Sequence, residues 1–207
     1  MKYILFDVGA NWGHDSIQQT IQNPEIITFA FEPTPKLFDH IKNVIANNKI
    51  EDRYHIYNYA VSDFIGAAEF KIAGQADWGC SSLNNFSDGL EKTWPGRTDF
   101  KVTEVINVEV ITMKHFIKNI CPIKIEKIDY FHCDTQGSDL KVLKGFEEYI
   151  SIIEHGNIEV PNSESVKLYK ENHSYEEAKE FLEQSGFEIY NTMQQQNEKN
   201  IYFRKIK

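Results

Sequence analysis

The fold of this chain is decided by the stretch Ile4-Leu5-Phe6-Asp7-Val8-Gly9-Ala10-Asn11-Trp12-Gly13. It begins as an apolar run typical of a buried strand and continues through an acid and a glycine-containing turn into a helical pattern. This order places backbone N–H groups and a carboxylate at the end of a strand, where parallel α/β sheets bind nucleotide-like ligands. The stretch therefore predicts a cofactor site built on the first strand–helix turn.

Strand and helix patterns alternate along most of the chain. Strands are predicted at Lys2–Val8, Ile26–Phe31, Tyr54–Val61, Ala67–Ile72, Glu104–Ile111, Ile128–Cys133, Ile152–Val160, Phe187–Met193 and Asn200–Ile206. Helices are predicted at His14–Gln22, Pro35–Asn47, Met113–Asn119, Ser138–Ile150 and Tyr175–Ser185. The alternation favours a parallel sheet with helices on both faces, and the final hairpin favours an antiparallel last strand.

Residues 74–103 interrupt this rhythm. The segment carries the aromatic residues Trp78, Phe86, Trp94 and Phe100 among small and polar ones. Long irregular segments of this kind often serve as lids over binding sites, although a surface loop pinned by its aromatics has the same composition. We expect one domain over residues 1–207, with 74–103 as a lid or acceptor-binding insertion.

Composition limits the classes of partner. The chain has 207 residues and a formal net charge of -9, which argues against nucleic acid or an anionic membrane as the main partner. Its three widely spaced cysteines form no disulfide or metal-binding pattern. Neither a secretory leader pattern nor an apolar run of the ~20 residues that span a bilayer is present in the sequence. These features predict a cytoplasmic protein.

Acidic residues recur where the predicted strands end. Glu32 is placed to hold ribose hydroxyls, Asp63 to accept from an adenine amine, and Asp134 to face the reacting end of a ligand. A cationic sulfonium with an ammonium tail suits such a site, whereas a pyrophosphate favours basic residues, and none occurs in the first turn. The acids favour S-adenosylmethionine over a nicotinamide dinucleotide.

The chain resembles the FkbM-type S-adenosylmethionine-dependent methyltransferases. The resemblance is carried in order by Asp7-Val8-Gly9-Ala10-Asn11-Trp12-Gly13, Phe31-Glu32-Pro33-Thr34-Pro35, Ala60-Val61-Ser62-Asp63, Ile128-Asp129-Tyr130-Phe131-His132-Cys133-Asp134-Thr135-Gln136-Gly137 and Val142-Leu143-Lys144-Gly145. It implies the class I methyltransferase fold, a Rossmann-like three-layer α/β sandwich. Its sheet has seven strands and is mostly parallel, with the last strand antiparallel.

The resemblance also implies roles for individual residues. The cofactor-binding set is Asp7, Gly9, Ala10, Asn11, Gly13, Glu32, Ser62, Asp63 and Asp134. Within it the glycine turn faces the methionine end, Glu32 holds the ribose, Ser62 and Asp63 flank the adenine, and Asp134 lies beside the methyl donor. The implied reaction is O-methylation of a sugar or natural-product hydroxyl, so the expected partner is a small-molecule or glycan acceptor.

A further set of residues is assigned to catalysis and acceptor binding. Asp134 is the candidate general base or acceptor orienter, whereas His132, on the same strand face, is interpreted as a core histidine. Candidate acceptor contacts in the insertion are Trp78, Ser81, Ser82 and Arg97. We expect no metal. A nicotinamide-dependent oxidoreductase and a non-catalytic binding protein are the alternatives, and the final hairpin and the insertion are candidate surfaces for self-association.

Overall fold

The computed structural model describes residues 2–74, 79–162, 167–194 and 198–206. Its strands are β1 (Tyr3–Val8), β2 (Ile26–Phe31), β3 (Tyr54–Tyr57), β4 (Ala60–Val61), β5 (Gly66–Ala73), β6 (Val102–Ile111), β7 (Tyr130–Cys133), β8 (His155–Pro161), β9 (Phe187–Gln194) and β10 (Glu198–Lys205). A seven-stranded sheet has the order β3-β2-β1-β7-β8-β10-β9. Among the described residues of this sheet, β10 pairs antiparallel with both β8 and β9 and the other pairs are parallel, which confirms the predicted mostly parallel sheet and antiparallel last strand.

A second sheet of three strands, ordered β4-β6-β5, lies beside the main one. The prediction of one strand over Tyr54–Val61 is therefore wrong, because the chain leaves the main sheet after Tyr57 and enters the small sheet at Ala60. The side chain of Asn58 explains the break, since its amide donates to the carbonyl oxygens of Glu32 and Pro33 at 2.8 and 3.0 Å. This turn brings β4 to the edge of the cofactor region.

The helices are α1 (His14–Gln22), α2 (Pro35–Asn47), α3 (Leu90–Thr93), α4 (Met113–His115), α5 (Asp139–Lys144) and α6 (Tyr175–Gln184), with a π-helical turn at Phe116–Ile120 and a 3₁₀ helix at Glu147–Ile152. The helix predicted over Ser138–Ile150 is too long, because left-handed backbone at Glu147 (φ 49°) interrupts it. The predicted capping box of Ser174 and Glu177 is present at the start of α6. None of the helices in the described part of the chain is long and apolar enough to cross a membrane.

The two faces of the main sheet are packed differently. On one face, Phe6, Phe31 and Phe131 belong to a large apolar cluster with residues of α4, α5 and α6. On the other face, α1 and α2 pack over β1, β2 and β3 through a smaller cluster that includes Ile17 and Ile41. Because side chains alternate along a strand, the residues beside Phe6 and Phe131, among them Asp7 and His132, point to this second face.

Residues 79–101 of the insertion pack against the turn that follows β7. Ser82 exchanges backbone hydrogen bonds with Lys71 of β5, and Phe86 stacks on Tyr169 with ring centroids 5.2 Å apart. Tyr169 in turn packs over Gly137, where an added Cβ would lie 2.9 Å from the Tyr169 ring. The insertion is thus anchored to the end of β7, beside the predicted site.

Candidate cofactor and acceptor site

The glycine turn after β1 brings two strand ends into contact. Gly9 and Ala10 both donate their N–H groups to the carbonyl oxygen of Phe31 at 3.0 Å. Gly9 has a φ of 84°, and a Cβ there would overlap the backbone carbonyl of Asp134. Only glycine permits this conformation and this close approach together.

Glu32 is held in place by the same turn. Its Oε2 accepts from the N–H of Asn11 at 2.9 Å, and its Oε1 accepts from the N–H of Thr34 at 2.8 Å. Burial raises the pKa of Glu32 to about 7, although these hydrogen bonds oppose the change. Each carboxylate oxygen retains a second lone pair, so the oriented side chain can accept a further donor at each oxygen.

A cavity lies over these strand ends and contains about 590 Å³ of empty space, part of it open to solvent. Its described walls include Val8, Gly9, Asn11, Phe31, Glu32, Pro33, Thr34, Leu37, Tyr59, Ala60, Val61, Phe70, Gly79, Ser81, Leu83, Asp134, Thr135, Gln136 and Ser138. Apolar side chains line the end near β4 and β5, and polar groups line the end near β1 and β7. No Lys or Arg is among these wall residues, so the cavity is suited to a ligand with a flat apolar end and a cationic end.

Gln136 connects the polar end of the cavity to the insertion. Its side-chain amide donates to Asp134 Oδ1 at 2.7 Å and to Glu159 Oε2 at 3.2 Å. Its side-chain oxygen accepts from the Tyr169 hydroxyl at 2.8 Å, and its backbone carbonyl accepts from Ser82 Oγ at 2.7 Å. These bonds hold Gln136 at a φ of 54°, an unusual backbone conformation for a residue with a side chain.

Further carboxyl groups surround Asp134. Burial raises the pKa of Asp139 to about 7, and the charge of Asp134 adds to the effect. Burial and Asp134 also raise the pKa of Glu159, which shares a side-chain hydrogen bond with Glu198. Glu198 itself has a pKa raised mainly by burial. Such clustering favours a positively charged or hydrogen-donating ligand next to Asp134.

A wide second depression, the sheet-face cleft, adjoins the cavity. It shares Gly9, Asn11, Gly79, Asp134 and Gln136 with the cavity. Its other described lining residues are Leu5, Asp7, Ala10, Trp12, Gly13, His14, Asp15, Ser16, Gln19, Cys80, Tyr130, His132, Asn157, Glu159, Glu198, Asn200 and Tyr202.

The structure brings most of the predicted cofactor residues together. Gly9, Asn11, Glu32 and Asp134 line the cavity, and Asp7, Ala10 and Gly13 line the adjoining cleft. Two predicted residues lie elsewhere. Ser62 is buried with its carbonyl against Gly145, and Asp63 is exposed, outside the walls of both depressions.

The predicted acceptor residues are dispersed. Ser81 lines the cavity and accepts from the N–H of Ala73, whereas Ser82 is buried against Gln136. Arg97 pairs with Asp99 and lines neither depression. Trp78 lies outside the described residues.

Several cavity residues are signalled by no motif in the sequence. Tyr59 and Phe70 line the apolar end of the cavity only because the chain turns at Asn58 and forms the small sheet. Tyr169 reaches Gln136 from a distant segment. For two further polar residues general rules do give a signal. Gln136 lies just beyond the end of β7, where parallel sheets bind ligands, and Tyr130 shares a face of β7 with His132 because side chains alternate along a strand.

A family model described as the methyltransferase FkbM domain matches residues 7–189. The chain belongs to the FkbM methyltransferase family. Membership confirms the prediction of S-adenosylmethionine as cofactor in place of a nicotinamide dinucleotide. The site fits this group. The buried Oδ1 of Asn11 has no hydrogen-bond partner among the described residues, so this atom and the oriented carboxylate of Glu32 could accept from hydroxyl and ammonium donors, and the acids around Asp134 suit a sulfonium.

Solved structures share the fold of this FkbM domain. The FkbM methyltransferase from Methylobacillus flagellatus KT is 11% identical, with a TM-score of 0.55 over 98% of this chain and 43% of its own. TrmK of M. capricolum, solved with S-adenosyl-homocysteine, is 13% identical, with a TM-score of 0.52 over 99% of this chain and 62% of its own. The chain thus spans less than two thirds of either relative. No curated protein matches it.

Proposed function

We propose that this FkbM protein transfers the methyl group of S-adenosylmethionine to a hydroxyl oxygen of a sugar or small natural product. The observation that carries the proposal is the sheet-face cleft, which opens onto the cavity at Asp134. The cleft presents aromatic rings and hydrogen-bonding groups from Trp12, Tyr130, Asn157, Asn200 and Tyr202, a combination suited to a polyhydroxylated ring.

Charge supports an uncharged acceptor over nucleic acid. Five carboxyl-bearing residues line the cleft, and no Lys or Arg is among its described lining residues. These carboxylates would repel the phosphates of a nucleic acid that entered the cleft, whereas a neutral or cationic acceptor would not be repelled. The formal net charge of -9 acts in the same direction.

Glu32 and Asp134 have separate roles in the proposed reaction. Glu32 accepts the ribose hydroxyls through its remaining lone pairs, which positions the cofactor. Asp134, oriented by Gln136, lies at the junction of cavity and cleft and orients the acceptor or takes its proton. The cofactor supplies the methyl group.

We place the protein in the cytoplasm, in keeping with the thiol state of Cys80, Cys121 and Cys133.

The test is a transfer assay with S-adenosylmethionine labelled in its methyl group. The acceptors are the methyl α-glycosides of glucose, mannose, galactose, rhamnose and fucose, a set of simple phenols, and unmodified tRNA. We expect the labelled methyl group in a glycoside or a phenol, where it forms a methyl ether, and no label in tRNA. Labelled tRNA, or binding of S-adenosylhomocysteine without transfer to any compound of a widened hydroxyl panel, would contradict the proposal.

Asp134→Asn tests the assignment at the junction. Asparagine retains an oxygen that accepts the bond from Gln136, so the fold and the turn should be preserved. We expect transfer to fall by about 100-fold, the scale of one proton-transfer or orienting group. Turnover equal to that of the parent would show that Asp134 neither orients the acceptor nor takes its proton. Asp52→Asn, a change at an exposed residue outside both depressions, is the matched control.

A further inference from the structure

The sheet-face cleft is built from strand positions that most parallel sheets fill with apolar residues. Parallel strands buried on both faces usually read as continuous runs of Val, Ile and Leu. Here one face of β7 and β8 is apolar, with Phe131 and Ile158 in the main cluster, while Tyr130, His132 and Asn157 occupy the opposite face. Helix α1 forms a wall of this depression and the polar strand residues form its floor.

His132 lies on that floor and is held from one side. Its Nδ1 is 3.1 Å from Asn157 Oδ1, which also accepts from the Tyr130 hydroxyl at 2.9 Å. An Oδ1 atom has no proton to give, so the bond requires the proton on His132 Nδ1. The neutral ring therefore presents an unprotonated Nε2, and the side chain is 41% exposed.

The charged groups around His132 suit a proton acceptor. Nε2 lies 4.0 Å from Asp7 Oδ1. Burial lowers the pKa of His132, but the charges of Asp7, Asp134 and Asp139 outweigh it and leave the pKa raised. A carboxylate beside the ring stabilises the imidazolium that forms when Nε2 takes a proton.

We propose that the sheet-face cleft is the acceptor site and that His132 is the catalytic base within it, oriented by Asn157 and Tyr130. This inference rests on the proposed methyl transfer to a hydroxyl. The O–H bond of the acceptor breaks and its proton goes to His132 Nε2. The acceptor oxygen bonds to the methyl carbon, and the electron pair of the S–CH₃ bond stays on sulfur. The products are a methyl ether, S-adenosylhomocysteine and an imidazolium that returns its proton to water.

His132 and Asp134 have different roles in this proposal. Both residues are on one face of the segment that ends β7, and only Asp134 lines the cavity as well as the cleft. Imidazole is generally the stronger base of the two side-chain types, and His132 has an unprotonated nitrogen facing the cleft. Asp134 is then the group that orients the acceptor next to the methyl donor.

The first test requires no acceptor. Histidine-ring NMR of the full protein reports the tautomer and the pKa of each imidazole, and His155, exposed on β8, is the internal control. We expect His132 in the form protonated at Nδ1. Sinefungin carries an amine in place of the sulfonium methyl group, so this cation should lower the pKa of His132 relative to S-adenosylhomocysteine.

The ring signals of His155 should be the same with both compounds. A His132 protonated at Nε2, or the same His132 pKa in both complexes, would overturn the proposal. Because these measurements use only the protein and cofactor analogues, they test the tautomer of His132 and its response to charge at the methyl position independently of the acceptor assays. A negative acceptor panel with the expected NMR result would count against the proposed reaction alone.

The second test uses the glycoside and phenol panel with His132→Gln and the control His155→Gln. We expect His132→Gln to lower kcat by about 100-fold or more while its affinity for S-adenosylhomocysteine stays within a few-fold of the parent. The parent rate should fall as the pH drops below the His132 pKa, and the variant should lack this acid limb. An unchanged kcat or an unchanged acid limb in His132→Gln would refute the role.

Discussion

Cofactor affinity should depend on pH through Glu32. Burial raises the pKa of this carboxyl to about 7 in the ligand-free protein. Two ribose hydroxyls donating to the ionised carboxylate would lower that pKa in the complex, because hydrogen bonds to the charged form stabilise it. Binding then releases a proton, and affinity falls as the pH is lowered through 7.

The size of the effect follows from the fraction of ionised Glu32. With a pKa of about 7, the dissociation constant of S-adenosylhomocysteine should rise about tenfold between pH 8 and pH 6, equivalent to about 1.4 kcal/mol. Glu32→Gln removes the titrating group. That variant should bind about 10- to 100-fold more weakly at pH 8, the scale of charge-assisted hydrogen bonds, with little further loss at pH 6.

Isothermal titration calorimetry at constant ionic strength measures both quantities. Repeating the titration in buffers of different ionisation enthalpy counts the protons released by the parent and by Glu32→Gln. The comparison isolates Glu32 from the other acids at the site, which both proteins share. Equal pH dependence in the two proteins would refute the link between Glu32 and cofactor binding.

Two further predictions concern stability. Gly9→Ala should lower the free energy of unfolding by more than about 4 kcal/mol, because a Cβ overlaps the carbonyl of Asp134, whereas Gly186→Ala should cost only about 1 kcal/mol. The two glycines have φ values of 84° and 85°, so equal losses in urea unfolding would show that the close approach at Gly9 is unimportant. Ser174→Ala removes the oxygen that accepts from the N–H of Glu177 and should cost about 1 kcal/mol, and an unchanged urea midpoint would show that the cap contributes nothing.

The parts of the fold that could be predicted are those set by local patterns. The strand–turn–helix order around Gly9 and the alternation that follows determine a parallel sheet, and the capping residues locate helix starts such as Ser174. The break at Asn58 could not be predicted, because it depends on two carbonyl groups, at Glu32 and Pro33, that only the folded sheet brings within reach.

The candidate site also contains residues that local patterns predict and residues whose positions depend on the folded structure. Glu32 and Asp134 follow from the rule that ligands bind beyond the ends of parallel strands. The position of Ser82 depends on how the insertion packs, and sequence spacing carries no information about that. Alternation places His132 on the strand face of Asp134, yet its interpretation as a core histidine needs revision, because the polar floor of the cleft forms only once β7, β8 and β10 are side by side.

Gln136 has a thermodynamic consequence. It bonds to Asp134 on the cofactor side, to Glu159 on the cleft side and to Tyr169 beneath the insertion. A ligand that shifted this residue from one side would alter the free energy of binding on the other. Linkage makes that effect reciprocal, so the factor by which cofactor changes acceptor affinity equals the factor by which acceptor changes cofactor affinity. If the cleft binds the acceptor as proposed, we expect Gln136 to couple the binding of acceptor and cofactor.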